Sequence, residues 1–481
     1  MKDHSEAAAN LESQRRRFVL VAVLILLAAL SVRTLYVASA KVEYPIRGDV
    51  NDYVLYAWNL THRGVFSTDL PDAPVATPDS RRGPGYPLML SLTMRLAGHS
   101  ELPLRPGPSG RMVLGYDTDT WMRLALSVQV ALGTLTVFLT MLLARVWLSR
   151  NFALAAGAVT AFWPHLIAFT GVLLSETLFA FTIVLALWLV FRAEQKRSTP
   201  IMALAGLSFG VAYLVNPVIA LFPLLITGLL AICRLKRLGT VFLLSFILLP
   251  LGWFVRNADA PGGNTLTARA TETFVIGSWP QFYEAYNSRF DNEISARIME
   301  LEGEEQSTIA SDPLRGLAMI RARMALDPVY FAGWYLLQKP FLLWDWRIRI
   351  GWNDIYFLPT EHSPFVFIPV LAAIKQICEW ANPLLFWVTA LAAVCLFFSR
   401  ITRPRSAPFP QFSLALFLLY VTDVHVVLQA EPRYSIPFRP EEILLAMSAV
   451  SWLSGKVMAA RLARTKPSGP ATSPRSSAAP S

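Results

Sequence analysis

The 481-residue sequence is too apolar for a water-soluble protein, because 54% of its residues are hydrophobic and only 16% are charged. Soluble domains carry about 25% charged residues, and the mean hydropathy here is +0.44. The composition therefore predicts an integral membrane protein. The formal net charge of +10 does not indicate nucleic acid as a partner, because the basic residues lie in short clusters between apolar segments. The three cysteines are far apart and offer neither a disulfide framework nor a metal-binding spacing.

These basic clusters predict the topology. Clusters of lysine and arginine in short loops mark the cytoplasmic side of a membrane protein. Threading the apolar segments with every cluster on that side predicts that both termini are cytoplasmic. The clusters are Arg15–Arg17, Arg192 to Arg197, Arg234 to Arg237, Arg400 to Arg405 and Lys456 to Lys466.

Ten apolar segments are predicted to span the membrane, beginning with residues 18–40, which are long enough to cross ~30 Å of hydrocarbon. Ala38-Ser39-Ala40 resembles a signal-peptidase site, but the length of the apolar segment predicts an uncleaved anchor. Three further apolar segments, 84–98, 329–345 and 363–379, are short or interrupted and are predicted to be interfacial helices, re-entrant helices or extra spans. The other nine predicted spans are 122–148, 152–170, 172–192, 201–217, 218–233, 239–255, 382–399, 407–428 and 438–455.

The predicted domain organisation is one all-α polytopic domain over residues 18–455, preceded by a cytoplasmic segment, 1–17. Two long loops, 41–121 and 256–328, are predicted on the outer face. Residues 456–481 form a cytoplasmic tail that is predicted to be disordered, because after Lys466 it is rich in Ser, Pro and Ala without a hydrophobic pattern.

The first outer loop opens with RGDVNDYVLYAWNL, residues 47–60. At helical spacing Asp49, Asp52, Tyr53 and Tyr56 share one face, so two carboxylates would face a cavity beside the bilayer. A second face carries Val50, Val54, Ala57 and Trp58, which predicts a helix lying flat on the outer leaflet. The alternative is that Asp49 caps this helix and Asp52 is solvated in its first turn.

The same loop contains TPDSRRGPGYPLML, residues 77–90, in which Pro84, Gly85 and Pro87 predict a turn before an apolar helix. Arg81 and Arg82 precede this turn. Arginine at a membrane surface suits a phosphate group, although interfacial anchoring explains the composition equally well.

Two further segments bring polar residues to the outer ends of predicted spans. LLSETLFAF, residues 173–181, places Glu176 in apolar surroundings, where an ionisable residue is costly and hence a candidate for function, unless it belongs to a helix cap. VHVVLQAEPRYSIPF, residues 424–438, supplies His425, Glu431, Arg433 and Tyr434. This second group is suited to hold an anionic headgroup or to cap two adjacent spans.

Asp117-Thr118-Asp119 has the DxD pattern of nucleotide-sugar enzymes. It falls in an outer loop, where nucleotide sugars are not expected, and no α/β domain surrounds it, so we interpret it as a chance match. The sequence contains neither a P-loop nor an HExxH motif.

In chain order these motifs resemble the GT-C superfamily of polyprenyl-phosphate-dependent membrane glycosyltransferases. The resemblance extends over most of residues 18–455 and is carried by GDVNDYVLYAWNLTHRGVFS, RRGPGYPLML, SETLF, FVRN and EPRYSIPFRP. The most similar branch is family 39, which includes protein mannosyltransferases and lipid A aminoarabinose transferases. The implied fold is a bundle of about ten or more transmembrane helices with juxtamembrane helices on the outer face.

The resemblance implies that a sugar carried on a polyprenyl phosphate is transferred, with inversion, to an acceptor hydroxyl of a lipid, a glycan or a protein. It implies catalytic roles for Asp49, with Asp52 as the neighbouring alternative, and for Glu176. The residues implied for substrate binding are Arg82, Tyr86, Arg256, His425, Arg433 and Tyr434. Asn216-Pro217 departs from the Arg-Pro that relatives often show. A divalent metal is left open, with Asp49, Glu176 and His425 as conceivable ligands.

Two other classes of function compete with this one. A multi-span transporter or flippase would show repeated halves and polar residues at the middle of the bilayer, whereas the polar candidates here lie in outer loops. A non-catalytic subunit of polysaccharide export would keep the fold without the chemistry. The positive-inside bias, together with chemistry on the outer leaflet, predicts a bacterial inner-membrane protein.

Overall fold

The computed structural model describes residues 2–98, 102, 104–106, 112–114, 120–258, 260, 266–352, 354–402 and 409–465. Nearly all of these residues are helical, which confirms the predicted all-α fold. The first ten helices are α1 (Lys2–Ser39), α2 (Asp49–His62), α3 (Gly85–Ala97), α4 (Thr120–Ala144), α5 (Arg150–Phe162), α6 (Pro164–Ala168), α7 (Glu176–Lys196), α8 (Thr199–Val215), α9 (Phe222–Ile232) and α10 (Lys236–Asn257).

The second half of the described chain adds eleven helices and a π-helical turn, Trp334–Gln338. Strands pair antiparallel at Lys41–Val42 with Thr360–Glu361, and at Leu104–Pro106 with Met112–Leu114. The helices are α11 (Leu266–Gly277), α12 (Phe282–Ser288), α13 (Glu293–Ser311), α14 (Pro313–Ala325), α15 (Pro328–Gly333), α16 (Lys339–Leu343), α17 (Pro364–Phe367), α18 (Pro369–Thr402), α19 (Phe409–Val427), α20 (Pro432–Ser435) and α21 (Arg439–Thr465).

All ten segments predicted as spans are helical. Within the described residues, six helices are long and apolar enough to cross a membrane, or seven if the bent pair α5–α6 counts as one. Helices α8 and α9 are apolar but shorter. The break between α5 and α6 bends the chain by 57° at Pro164, whose ring cannot continue the helix. One prediction was wrong: 363–379 and 382–399 are not separate segments, because α18 (Pro369–Thr402) contains most of the first and all of the second, with Pro383 inside it.

Helix α7 is the centre of the bundle and packs against α4 and α8, while α10 packs on α8. In its most apolar window 72% of α7 is buried, compared with 17% for α1 and for α18. The large exposed side chains of α1 and α18, such as Leu24 and Trp387, are therefore suited to contact lipid. Multiple apolar helices arranged in this way make the chain a multi-pass membrane protein.

The helices place the polar motifs at one end of the bundle. Glu176 is the first residue of α7, Arg433 lies just before α21, and Asp49 follows the end of α1. Direct ion pairs join these three residues, so the ends of all three spans meet. The basic clusters lie toward the opposite ends of the same helices: Arg15–Arg17 precede the apolar part of α1, Arg192 to Arg197 lie in and just after the last turns of α7, and Lys456 lies in the C-terminal half of α21.

The segment predicted as the second outer loop folds into a layer of helices, α11 to α14, with its own apolar core around Val275, Trp279 and Ile320. The acidic run in α13 is only partly solvated, because Glu302 and Glu305 are buried. Glu305 pairs with Arg323 at 2.9 Å and accepts a hydrogen bond from the Trp279 indole N–H. Burial raises the pKa of Glu302 to about 7.

Candidate active site

Helix α2 begins at Asp49, but Asp49 does not cap it. The N-cap is Gly48, which has φ 56° and makes no side-chain capping bond. This positive φ suits glycine, which has no Cβ to clash. The carboxylate of Asp49 is thereby free to turn into the protein, so the capping alternative was wrong.

The apolar face of α2 also differs from the prediction. Val50, Val54 and Ala57 are fully buried and pack in the core of the bundle. The expected contact of this face with the outer leaflet was wrong, because α3 covers the helix. Trp58 is half-buried and stacks on His62.

Asp49 is surrounded by three arginines from three separate parts of the chain. Its Oδ1 lies 2.7 Å from a terminal nitrogen of Arg82, and its Oδ2 lies 2.9 Å from one of Arg433. Arg269 of α11 approaches Oδ1 to 4.0 Å. Asp52 accepts two bonds from Arg82, at 2.7 and 3.0 Å. The two carboxylates of the opening motif therefore share one guanidinium.

Arg433 connects this group to the second carboxylate site. Its Nε donates to Oε1 of Glu176 at 2.5 Å, while its terminal nitrogen holds Asp49. Ser175 precedes Glu176 without making a capping bond and instead accepts a bond from the Tyr53 hydroxyl at 3.2 Å. Asp49 and Glu176 therefore lie on the same side of the bundle, joined by a single buried arginine.

The charges around Asp49 determine its protonation state. Burial alone would raise the pKa of this carboxyl, but the guanidinium groups of Arg82, Arg433 and Arg269 outweigh it. The net result is a pKa well below the usual range. Asp49 is therefore ionised. Its basicity would increase only if another anion bound to these guanidinium groups in its place.

Glycines bring the Arg82 segment against α8. A Cβ on Gly83 would lie 2.3 Å from the backbone oxygen of Leu214, and one on Gly85 would lie 2.8 Å from the backbone nitrogen of Val215. No real Cβ contact is this short, so only glycine allows the approach. The RRGPGYP motif thus fixes Arg82 against the end of a bundle helix.

Gly83→Ala is accordingly expected to destabilise the protein by about 1–3 kcal/mol, because the obstructing atom belongs to backbone that cannot rotate away. Thermal unfolding of purified protein in detergent measures this loss. The matched control is Gly228→Ala in α9, where a Cβ meets nothing within 4 Å, and which should unfold no earlier than the wild type. Equal unfolding temperatures for Gly83→Ala and the wild type would contradict the packing argument.

The ion pairs border a small, partly open cavity of about 60 Å³. Among the predicted site residues, Asp49, Glu176, His425, Arg433 and Tyr434 line it. The lining includes four polar residues that the motifs did not assign to the site: Tyr53, Ser175, Asn216 and Arg269. Tyr53 shares the helical face of Asp49, whereas no sequence pattern distinguishes Arg269 from the other arginines of its loop.

His425 and Tyr434 form the wall of the cavity opposite α2. Their rings stack with centroids 5.3 Å apart, and both hold Gln429: the ring Nδ1 of His425 contacts its backbone oxygen and the Tyr434 hydroxyl donates to its side chain. Burial raises the pKa of Tyr434 to about 12, so its hydroxyl keeps its proton at neutral pH.

Tyr86 does not enter the cavity. It is fully buried, donates to the side chain of Gln129 at 2.9 Å, and packs edge-on against Tyr53 at 5.0 Å. Its place in the structure is behind Tyr53, which it supports. The expectation that Tyr86 reaches a substrate directly does not fit this position.

Arg256 also lies apart from the cavity, at the end of α10. Its guanidinium donates to the backbone oxygens of Asp79 and Phe66, at 2.6 and 3.3 Å, and stacks on Trp253. It borders an apolar groove of about 600 Å³ between α2, α3, α8 and α10. Pro84 lines the same groove and is separated from Arg82 of the ion cluster by one residue.

The charged groups of the cavity do not fit a metal site. Within the described part of the chain, no three His, Cys, Asp or Glu side chains are arranged to hold an ion. The Arg433 guanidinium occupies the space between Asp49 and Glu176, and a cation there would be repelled. The Asp117-Thr118-Asp119 motif lies outside the described residues.

No protein-family model matches the sequence, and no curated protein sequence matches it. Among solved structures, the chain is similar to the oligosaccharyltransferase AglB from Archaeoglobus fulgidus in complex with an inhibitory peptide and a dolichol-phosphate. The TM-score is 0.50 and the identity 12%, over 95% of this chain and 52% of AglB. This chain therefore spans about half the length of that enzyme.

A second match is ArnT from Cupriavidus metallidurans bound to undecaprenyl phosphate, with 15% identity over 95% of this chain and 82% of that one. Its TM-score of 0.34 is too low to support an argument. The likeness to AglB concerns the fold. The chain thus shares the all-α membrane fold of AglB.

Proposed function

We propose that this protein is a membrane glycosyltransferase that moves a sugar from a polyprenyl-phosphate donor to an acceptor hydroxyl, with inversion at the sugar carbon. The acceptor is a hydroxyl of a lipid, a glycan or a protein. The observation that carries the proposal is the joining of Asp49 and Glu176 by Arg433 in a cavity at the end of the bundle, next to a lipid-facing groove. The fold shared with a dolichol-phosphate-binding enzyme supports the donor class.

The groove beside Arg256 suits the donor's lipid chain. Its lining is mostly apolar and includes Leu214 of α8 and Leu248 and Leu249 of α10, and α10 has only 22% of its apolar window buried. A prenyl chain lying there would remain in contact with the bilayer. Its phosphate end would then reach the Arg82–Pro84 segment, where the groove and the ion cluster come within two residues of each other.

The arginines suit the phosphate. Arg82 and Arg433 are nearly inaccessible, with side-chain exposures of 6% and 9%, and a guanidinium in such surroundings binds phosphate oxygens through paired hydrogen bonds. As the bond between the sugar and phosphate breaks, negative charge grows on the phosphate, and fixed cations lower the energy of that state. Arg269 supplies a third positive charge near Asp49.

Asp49 suits the role of general base. When the donor phosphate binds Arg82 and Arg433, the Asp49 carboxylate loses its closest cations. The pKa of Asp49 then rises toward a value useful for catalysis. It then removes the proton from the acceptor hydroxyl while that oxygen bonds to the sugar carbon. The carbon–oxygen bond to phosphate breaks on the opposite face, and polyprenyl phosphate leaves. A single displacement of this kind inverts the sugar carbon.

The location that fits this chemistry is the outer leaflet of a bacterial inner membrane, with both termini cytoplasmic. This location is supported because the basic clusters lie toward one end of the bundle and the carboxylates of the site lie at the other. A lipid-linked donor delivered to that leaflet needs no soluble carrier.

Purified protein incubated with a radiolabelled polyprenyl-phosphate sugar and a bacterial membrane extract that supplies lipid, glycan and protein acceptors tests the proposal. We expect free polyprenyl phosphate to accumulate in step with a new glycosidic bond. Movement of the intact lipid-linked sugar across a proteoliposome without bond cleavage would instead indicate a flippase. If neither product nor movement is found, a non-catalytic role in polysaccharide export replaces the enzyme.

A further inference from the structure

A buried carboxylate that the proposed chemistry does not use lies behind Arg433. Glu431 is 1% exposed, and its side chain accepts three hydrogen bonds from backbone N–H groups. Oε2 accepts from Arg433 at 2.6 Å, whereas Oε1 accepts from Arg349 at 2.7 Å and from Ile350 at 3.4 Å. One carboxylate thus joins two segments that are more than eighty residues apart in sequence.

The segment that Glu431 joins to Arg433 also touches the arginine side chain. The guanidinium of Arg433 lies 4.0 Å from the ring of Phe357, a few residues beyond Ile350. A Cβ on Gly351 would lie 2.4 Å from the backbone oxygen of Phe357, so this segment is folded back tightly on itself. Arg433 is therefore held at its backbone by Glu431, at its face by Phe357 and at its nitrogens by Asp49 and Glu176.

We propose that Glu431 is a positioning residue for Arg433: its carboxylate binds the Arg433 backbone to the 349–357 segment and so fixes where the guanidinium points. The inference rests on the proposed role of Arg433 in holding the donor phosphate. A carboxylate is suited to this task because it offers one acceptor oxygen to each chain segment, whereas an amide offers one oxygen and an NH2 group that cannot accept from the second backbone N–H.

The surroundings of Glu431 make this contact sensitive to pH. The titratable and charged groups that face it are Arg433 and Tyr434 of α20, Tyr283 of α12, and Arg349. Burial raises the pKa of Glu431 to about 7, against the opposing effect of the backbone N–H groups and the Arg433 charge. Below that pH the protonated carboxyl loses acceptor capacity, so the contact is intact above pH 7 and weakens as the pH falls through it.

The test measures binding of a short-chain polyprenyl phosphate to purified wild type, Glu431→Gln and Glu431→Asp at pH 8 and pH 6. Gln offers one acceptor oxygen, and Asp keeps the bond to Arg433 but is one methylene too short to reach Arg349. At pH 8 we expect both variants to bind about tenfold more weakly, the effect of losing one buried hydrogen bond. At pH 6 the ratio of the variant's dissociation constant to that of the wild type should fall toward one. Titration of the phosphate affects both proteins equally and therefore cancels in this ratio.

The matched control is Glu302→Gln, which removes a buried carboxyl whose pKa is also raised to about 7, but which lies in α13. It should bind the lipid as the wild type does at both pH values. The positioning role would be overturned if the Glu431 variants and the wild type had equal dissociation constants at pH 8. It would also be overturned if the ratio of these constants did not change between pH 8 and pH 6.

Amide hydrogen exchange of peptides covering 345–352 and 431–438 separates this inference from the proposed function. Faster exchange of both peptides in Glu431→Gln is the expected result, and unchanged exchange would overturn the link itself. If wild type binds no polyprenyl phosphate while exchange still responds to Glu431, the proposed function is wrong and the link between the segments stands. Faster exchange with unchanged binding would overturn only the positioning of Arg433.

Discussion

Asp49→Asn is expected to lower kcat by about 1,000-fold, within the range for loss of a general base. Asparagine keeps the shape and one acceptor oxygen, but it takes up no proton from the acceptor hydroxyl. It also removes one of two counter-ions from each arginine, at 2.7 Å from Arg82 and 2.9 Å from Arg433, while Asp52 and Glu176 remain. The measurement is release of polyprenyl phosphate by purified variant, at a donor concentration that saturates the enzyme.

Asp52→Asn is the comparison that makes this result specific. Asp52 lies one helical turn from Asp49 and touches the same Arg82, with a similar side-chain exposure of 25% against 23%. It has no contact with Arg433 among the described ion pairs, so we expect a loss of only about tenfold, through Arg82. Equal losses in the two variants would refute Asp49 as the base.

Arg433→Met is expected to have the second large effect. One guanidinium pairs with both Asp49 and Glu176, and methionine leaves the buried Glu176 without its cation while Asp49 keeps Arg82. Breaking a buried ion pair from one side costs about 3–5 kcal/mol. The variant should therefore unfold at lower temperature, and the protein that remains folded should bind polyprenyl phosphate at least tenfold more weakly.

Arg323→Met separates stability from function. Arg323 pairs with the buried Glu305 at 2.9 Å in the outer helical layer, outside the residues that line the cavity. Its loss should lower the unfolding temperature in a similar way while the folded protein binds the lipid normally. A normal lipid affinity in folded Arg433→Met would contradict the assigned role of Arg433.

The sequence predicted the helices well because their apolar runs are long and are separated by basic loops. The merged α18 was missed; Glu379 and Asn382 are polar residues that interrupt its apolar run. In the bundle Asn382 is buried and bonded to the backbone oxygen of Trp344 and to Arg439, which satisfies its polar groups inside the helix. Such tertiary partners are invisible in local sequence.

The candidate site was predicted in part. Asp49, Glu176 and Arg433 each belong to a motif near the end of a predicted span, and they do come together in the structure. Their functional roles stay predictions. The sequence did not predict that Asn216 and Arg269 line the same cavity. Relatives often have an arginine at the position of Asn216, and here Arg269 of α11 brings a positive charge to the cavity instead. Tyr86 and Arg256 were assigned by motif alone, and their packing behind Tyr53 and beside the groove depends on contacts distant in sequence.

The most direct test of the account is an experimental structure of the protein with a bound polyprenyl phosphate. The account predicts that phosphate oxygens lie within hydrogen-bond distance of Arg82 or Arg433, that Asp49 has moved away from at least one of these arginines, and that the prenyl chain follows the groove beside Arg256. A phosphate bound elsewhere, with the Asp49–Arg433–Glu176 contacts undisturbed, would contradict it.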